Sequence, residues 1–344
     1  MTTPSGGARA AGEAAWLVPS LICTIALGVF AGALILTMDF RGLPDPGVSL
    51  ASWVGWTFMA CFAAVGLYTL KLRAAGNERP IRVLSENLRR DWRRYAIIPC
   101  GMFLAGLDMY FFMIVKPQLN SLFPFWADPL LAQLDRALLG TDGWRLLEPL
   151  TTEAVAWVYS PGWYFTILLT FFWVLLRPPS ITKGSVLLSY FVIWSVFGPV
   201  GQAIVPAGGP IFFTRLGYGD AFADMRIPEL SQFLSNYLWA TYEARSLAPG
   251  AGISAMPSLH IATMAWAVVA FASFRSRWTV PVLLLSFFIY AASIALGWHY
   301  AMDGIVGALG AVLSYLLAKV VIGRGAFISA GSVRRTASPV DANA

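Results

Sequence analysis

The stretch GWHYAMDGIVGALGAVLSYLLAKVVIG, residues 297–323, decides the fold class of this chain. From Met302 onward it is an apolar run with two charged side chains, Asp303 near its start and Lys319 near its end. A helix needs about 20 apolar residues to cross the hydrocarbon core of a bilayer, and this run has that length. The sequence therefore predicts a transmembrane helix that begins close to His299.

Further apolar stretches of the same kind occupy most of the chain to the N-terminal side. They run over residues 16–38, 48–70, 95–115, 154–176, 184–206, 257–274 and 279–298. Of the 344 residues, 58% are hydrophobic and 12% are charged, whereas a soluble domain carries about 25% charged residues. These features predict an all-α, polytopic membrane protein of about eight transmembrane helices.

The basic residues indicate how the helices are oriented in the membrane. Alternating crossings place the connections 71–94, 177–183 and 275–278 on one side together with both termini. With Lys319 at the end of the last span, that side holds 17 of the 24 Lys and Arg residues, eight of them between Lys71 and Arg94. The positive-inside rule makes this side cytoplasmic. The net charge of +6 is therefore an orientation signal, and we expect no nucleic-acid partner.

Two outer connections carry recognisable patterns. In the segment 116–153, Asp128-Pro129 precedes leucines at helical spacing up to Gly140, which predicts a capped amphipathic helix on the outer membrane surface. The loop 206–256 is rich in Gly and Pro. A long loop tethered between two spans is a favourable place for a functional site.

The chain has two histidines, and both fall at the outer ends of spans. Asp303 follows His299 by four residues, so on a helix its carboxylate lies on the same face. A carboxylate there can orient the imidazole and stabilise its protonated form, which makes His299 a candidate nucleophile or base. A single histidine near the membrane interface is more commonly an amphipathic packing residue than a catalyst. Two histidines and an aspartate on one outer face nevertheless favour His260, His299 and Asp303 as a catalytic set.

These residues resemble known signature motifs. Pro257-Ser258-Leu259-His260 and His299-x-x-x-Asp303 are similar to the second and third motifs of the type 2 phosphatidic acid phosphatase superfamily. Leu259 and the segment Pro206-Ala207-Gly208-Gly209-Pro210 resemble its inositol phosphorylceramide synthase branch. The resemblance covers about residues 184–320 and implies a helical core like that of the phosphatases.

The resemblance also implies a mechanism. The residue that matches His299 attacks phosphorus and becomes a phospho-histidine, while the match to Asp303 holds it and the match to His260 protonates the leaving group. No metal or cofactor is required. Water or an alcohol such as inositol then resolves the phosphoenzyme, so the expected partners are a lipid phosphate and one of these acceptors.

The sequence departs from the superfamily in its phosphate-binding cations. Ala292 and Ser293 stand where the third motif has Ser-Arg, and the Lys and Arg-Pro of the first motif are missing from the outer side. A phosphoryl group still needs positive charge and hydrogen-bond donors. We assign Arg215, Arg245 and Ser258 to substrate binding, although Ser258 is equally suited to cap a helix.

The sequence leaves other residues and assignments open. Lys116 is a third outer cation, which we leave outside the predicted site. The glycines before Arg215 could turn backbone N–H groups toward an anion. Asp108 lies within the third span and is interpreted as a buried partner of a Tyr or Trp rather than as a catalyst.

The predicted organisation follows from these assignments. Residues 1–15 form a cytoplasmic segment, 16–176 the N-terminal membrane helices, 184–323 the catalytic membrane core and 324–344 a disordered cytoplasmic tail. We expect a cell-membrane enzyme that transfers a phospho head group between a lipid and an alcohol on the outer face. A simple lipid phosphate phosphatase and a proton-coupled transporter or lipid flippase remain the alternatives.

Overall fold

The computed structural model describes residues 6–336, and within that range it contains α-helices and no β-strand. The N-terminal helices are α1 (Gly6–Thr37), α2 (Pro46–Ala74), α3 (Pro80–Arg90), α4 (Trp92–Leu122), α5 (Asp128–Leu139), α6 (Gly143–Leu146) and α7 (Glu153–Leu175). The C-terminal helices are α8 (Ile181–Val192), α9 (Gly198–Ile204), α10 (Glu229–Glu243), α11 (Leu259–Ser273), α12 (Thr279–Ala295) and α13 (Ala301–Thr336). A π-helical turn, Ile193–Phe197, joins α8 to α9.

The predicted fold class, an all-α polytopic membrane protein, is confirmed. Among the described residues, six helical segments are long and apolar enough to cross a membrane. They belong to α1, α2, α4, α7, the continuous α8–α9 segment and α13. The helices α11 and α12 are also apolar but shorter, with 15 and 17 residues. Each of the eight predicted apolar stretches therefore coincides with a helix.

The core that carries the site is built from α8, α11 and α13. The last of these helices packs mainly against the other two. Gly307 of α13 lies directly against the carbonyl oxygen of Ser258, where an added Cβ would have no room. Trp266 of α11 donates its indole N–H to the carbonyl of Val186 in α8 at 2.8 Å. These close contacts fix the starts of α11 and α13 beside each other.

The outer segment differs from the expectation in two ways. The helix α4 continues to Leu122, so the outer connection begins later than residue 116. The next helix, α5, ends as predicted at Gly140, which has a left-handed φ of 76°. Its face with Asp128, Leu131, Ala132 and Asp135 is buried in the protein, while leucines at every fourth position face outward. One face of this helix therefore packs into the protein interior, and the leucines of its other face stay exposed.

The C-terminal helix is longer than the sequence predicted. The last helix runs to Thr336, past the predicted start of the tail at residue 324. Residues 1–5 and 337–344, which include parts of the predicted N-terminal segment and tail, lie outside the described residues.

Candidate active site

The structure brings the two histidines and the aspartate together. His260 lies in the first turn of α11, His299 in the connection between α12 and α13, and Asp303 in the first turn of α13. The ring centroids of His260 and His299 are 5.7 Å apart. Asp303 Oδ2 lies 3.4 Å from His299 Nδ1. Three ionisable groups therefore converge at one end of an apolar bundle.

The orientation of His299 is set by a backbone carbonyl as well as by Asp303. Its Nδ1 lies 2.9 Å from the carbonyl oxygen of Ala255, closer than it lies to the carboxylate. Because a carbonyl oxygen can only accept a hydrogen bond, Nδ1 carries the proton. The lone pair of Nε2 is then free to attack an electrophile. Asp303 in turn accepts the backbone N–H of Tyr300 at 2.8 Å, which holds the carboxylate in place.

Aromatic rings hold His260. The ring of Trp163 meets it edge to face with centroids 4.4 Å apart, and the ring of Tyr159 lies at 5.4 Å. His260 remains half-buried, whereas His299 is 3% exposed. The imidazole of His260 therefore has one orientation toward His299 and retains access to the space between them.

A cavity of about 390 Å³ opens in front of the two histidines. Its inner walls are apolar and come from the spans, with Met109, Phe112, Met113, Trp163 and Trp194 among them. Its outer rim is formed by α10 and the loop 249–254. The hydroxyl of Tyr237 in α10 donates to the carbonyl of Pro249 at 2.7 Å and ties the two sides of the rim together. The cavity is thus an apolar chamber that ends at the two histidines.

Lys116 supplies positive charge to this cavity. Among the described residues that line it, Lys116 is the one Lys or Arg. It stands near the end of α4, where Gln202 donates to its carbonyl oxygen at 3.0 Å. The loop packs on its stem, since a Cβ on Gly252 would lie 3.0 Å from Lys116 Cγ. From the sequence we named Lys116 as a cation but left it outside the predicted site. The contact with Gly252 that directs it inward joins residues far apart in the sequence, so local patterns do not reveal it.

The two predicted arginines lie elsewhere. Arg215 and Arg245 are exposed and are not among the described residues that line the cavity. Arg215 donates to the side-chain oxygen of Asn236 and lies 5.8 Å from the ring centroid of Trp239. Arg245 occupies a turn with φ 46°, and its carbonyl accepts the N–H of Arg41 at 2.8 Å. Their place in the outer loop, rather than their charge, keeps both residues away from the histidines.

Ser258 caps α11. Its side chain is fully buried and accepts the N–H of Ile261 at 3.4 Å, while its own N–H donates to the carbonyl of Asp303 at 3.1 Å. We therefore assign it the capping role that the sequence left open, instead of a contact with phosphate.

The Gly-rich segment does turn its N–H groups toward an anion, but that anion belongs to the protein. Gly208 and Gly209 donate to the carboxylate of Asp128 at 2.9 and 2.8 Å. Gly209 has φ 100°, and a Cβ there would lie 2.5 Å from the carbonyl oxygen of Trp298. Burial raises the pKa of Asp128, and the hydrogen bonds from Gly208, Gly209 and Tyr300 oppose that rise. These amides are thus used internally.

Asp108 has hydroxyl partners rather than the predicted aromatic ones. Thr24 and Ser195 donate to its Oδ1 at 3.0 and 2.7 Å. Ser195 belongs to the π-helical turn, so Asp108 joins three spans below the site. It is fully buried and is not among the described residues that line the cavity.

One comparison with known proteins identifies the family of this chain. The sequence profile of the PAP2 superfamily matches residues 131–317, which is more than half of the chain and includes both histidines and Asp303. The chain therefore belongs to the PAP2 superfamily. It is a multi-pass membrane enzyme of the phosphatase type with lipid phosphate chemistry. Neither a search of curated proteins nor a search of solved structures found a match.

The hydrogen bond to Ala255 predicts the tautomer of His299. At mildly alkaline pH, we expect one of the two neutral imidazoles to carry its proton on Nδ1 with an unprotonated Nε2. Because the chain has two histidines, ¹⁵N NMR of histidine-labelled protein with a histidine-free affinity tag resolves both rings. The signal that His299→Gln removes identifies the residue. A proton on Nε2 of that ring would contradict the arrangement.

Proposed function

We propose that this enzyme transfers a phospho head group between a lipid and an alcohol such as inositol, through a phospho-histidine on His299. The observation that carries the proposal is the free Nε2 of His299, which follows from the hydrogen bond between Nδ1 and Ala255. His299 lines a cavity together with His260 and Lys116. A nucleophile, an acid and a cation are the groups that phosphoryl transfer requires.

The first half-reaction breaks the ester bond of the donor lipid. His299 Nε2 attacks phosphorus, the bond from phosphorus to the lipid oxygen breaks, and His260 gives its proton to that oxygen. The positive charge that develops on His299 is stabilised by Asp303, whose carboxylate lies 3.4 Å from Nδ1. Protonation of the leaving oxygen by a general acid, here His260, contributes a factor of about 10² to 10⁴ in rate.

The second half-reaction reverses these roles. An acceptor hydroxyl attacks phosphorus and gives its proton to His260, and the bond from phosphorus to Nε2 breaks. Gln202, Ser160 and Ser254 also line the cavity and can hydrogen-bond the hydroxyl groups of an acceptor. Water in place of the alcohol would make the enzyme a lipid phosphate phosphatase.

The number of cations favours transfer over hydrolysis of a phosphate monoester. Besides the two histidines, Lys116 is the one cationic side chain among the described residues that line the cavity. A phosphate monoester carries about 1.5 to 2 negative charges at pH 7, whereas a phosphodiester carries one. An unmatched charge in an apolar cavity is costly. One lysine therefore suits the phosphodiester of a phospholipid head group. The Leu at position 259, which resembles the inositol phosphorylceramide synthase branch, also favours transfer.

The sidedness of the chain supports a reaction on the outer face of the cell membrane. The histidines lie at the end of the bundle opposite the connection 71–94, which carries eight basic residues. The transporter or flippase alternative is less well supported, because Asp108 is bonded to Thr24 and Ser195 and lies outside the cavity lining.

A phospho-histidine should be trapped on wild-type protein. Incubation with a phospholipid labelled with ³²P in its phosphate and acid-free denaturation should leave a base-stable, acid-labile adduct. His299→Ala should abolish it, and Asp303→Asn should slow its formation by about 10² to 10⁴ because the imidazolium loses its counter-charge.

His260→Ala provides the matched control for this trap. It should lose turnover of the phospholipid but still form the adduct from bis(p-nitrophenyl) phosphate, whose leaving group departs without protonation. An adduct that persists in His299→Ala would rule out His299 as the nucleophile.

Lys116→Ala should lower kcat/KM toward a phospholipid by about 10² or more, because a donor to the transferring phosphoryl group is lost. Arg215→Ala removes an exposed cation of the same charge and should change kcat/KM by less than about twofold.

Release of product should be compared for a phosphodiester lipid and a phosphate monoester lipid, each with inositol or water as acceptor. Preferential hydrolysis of the monoester by water would instead make the enzyme a phosphatase.

A further inference from the structure

The outer helix α5 carries two buried aspartates that the proposed reaction does not use. Asp128 is fully buried and Asp135 is 4% exposed. They are seven residues apart, so both lie on the helix face that packs into the protein. A buried carboxylate is stable only where it is hydrogen-bonded, and each of these has its partners in or beside the segment that bears His299 and Asp303.

Asp135 caps the helix that carries Asp303. Its Oδ2 accepts the N–H of Ala301 at 2.7 Å and its Oδ1 accepts the N–H of Met302 at 3.1 Å. The first N–H groups of a helix have no partner within that helix, and a carboxylate at this end also opposes the helix dipole. The cap of α13 is thus supplied by another helix of the same chain.

Asp128 connects the other side of the same segment. It accepts the hydroxyl of Tyr300 at 3.0 Å together with the amides of Gly208 and Gly209. Burial raises the pKa of Tyr300 well above its ordinary value, so this hydroxyl remains a donor. Gly208, which donates to Asp128, directly follows Ala207. The carbonyl of Ala207 accepts the N–H of Ala255 at 2.8 Å. Ala255 is the residue that orients His299.

We propose that Asp128 and Asp135 are positioning residues, which hold the segment from His299 to Asp303 and its carbonyl partner in reactive geometry. The inference rests on the proposed function for its kinetic consequence, but not for its structural one. Neither aspartate is among the described residues that line the cavity shared by the two histidines, so both act through residues 299–303 and Ala255. Misplacement of a reacting group by about 1 Å costs about 10²-fold in rate.

The test compares Asp135→Ala with Asp142→Ala. Asp142 is also buried, in the connection after α5, and pairs with Arg136 at 2.6 Å. Asp142 has no hydrogen bond to residues 299–303 among the described contacts. With bis(p-nitrophenyl) phosphate as the probe, Asp135→Ala should lower kcat by about 10 to 100-fold with KM within about threefold. Asp142→Ala should leave both near wild type.

Conservative variants keep the test valid if Asp135→Ala does not fold. Asp135→Asn retains one acceptor and is about as good a cap as Asp, so it should recover part of the lost kcat. Tyr300→Phe removes a single donor to Asp128 and should give a smaller loss. No recovery in Asp135→Asn, or a kcat of Asp135→Ala equal to wild type, would overturn the proposal.

The ¹⁵N signals of the two histidines give a readout that does not depend on turnover. The His299 ring signal should shift or broaden in Asp135→Ala and in Asp128→Asn, and remain unchanged in Asp142→Ala. If wild type shows no turnover while these shifts occur, the proposed function fails and the positioning role stands. If the His299 signal is the same in all variants, the positioning role is wrong.

Discussion

The hydrogen bond from His299 Nδ1 to the carbonyl of Ala255 is the interaction on which the site depends. It favours a proton on Nδ1, which leaves Nε2 as the nucleophile of the proposed reaction, and it ties the connection before α13 to the loop before α11. A free imidazole in water would sample both tautomers and many orientations. Here the carbonyl selects the tautomer, and in the proposed reaction the neighbouring carboxylate of Asp303 stabilises the charge that develops during attack.

Scarcity of charge shapes the rest of the molecule. The chain has 12% charged residues, and each buried carboxylate among the described residues has a hydrogen-bond donor. Asp108 joins spans, Asp128 holds the Gly-rich loop and Asp135 caps α13. In the proposed reaction, the one lysine among the described residues that line the cavity sets the charge that a bound phosphate can carry. On this proposal, the scarcity of charge that suits the protein to lipid also limits its substrates.

Hydropathy was sufficient to predict the apolar helices, because every span needs an uninterrupted apolar run of fixed length, but it did not predict α3 or α10. The pair His299 and Asp303 was also predictable, since their spacing is local and both lie at one helix start. The contacts that complete the site are not local. Nothing in the sequence around Lys116 or Arg215 indicates that the lysine lines the cavity and the arginine does not. The seven-residue spacing puts Asp128 and Asp135 on the same helix face as Leu131 and Ala132, which was a usable signal of buried carboxylates. The leucines on the opposite face obscured this signal.

The stereochemical course at phosphorus tests the central claim most directly. A phosphodiester lipid made chiral with sulfur at phosphorus should be transferred to an alcohol with retention of configuration, because attack by His299 and attack by the acceptor each invert the centre once. Inversion would mean a single displacement by the acceptor and would contradict a covalent intermediate on His299.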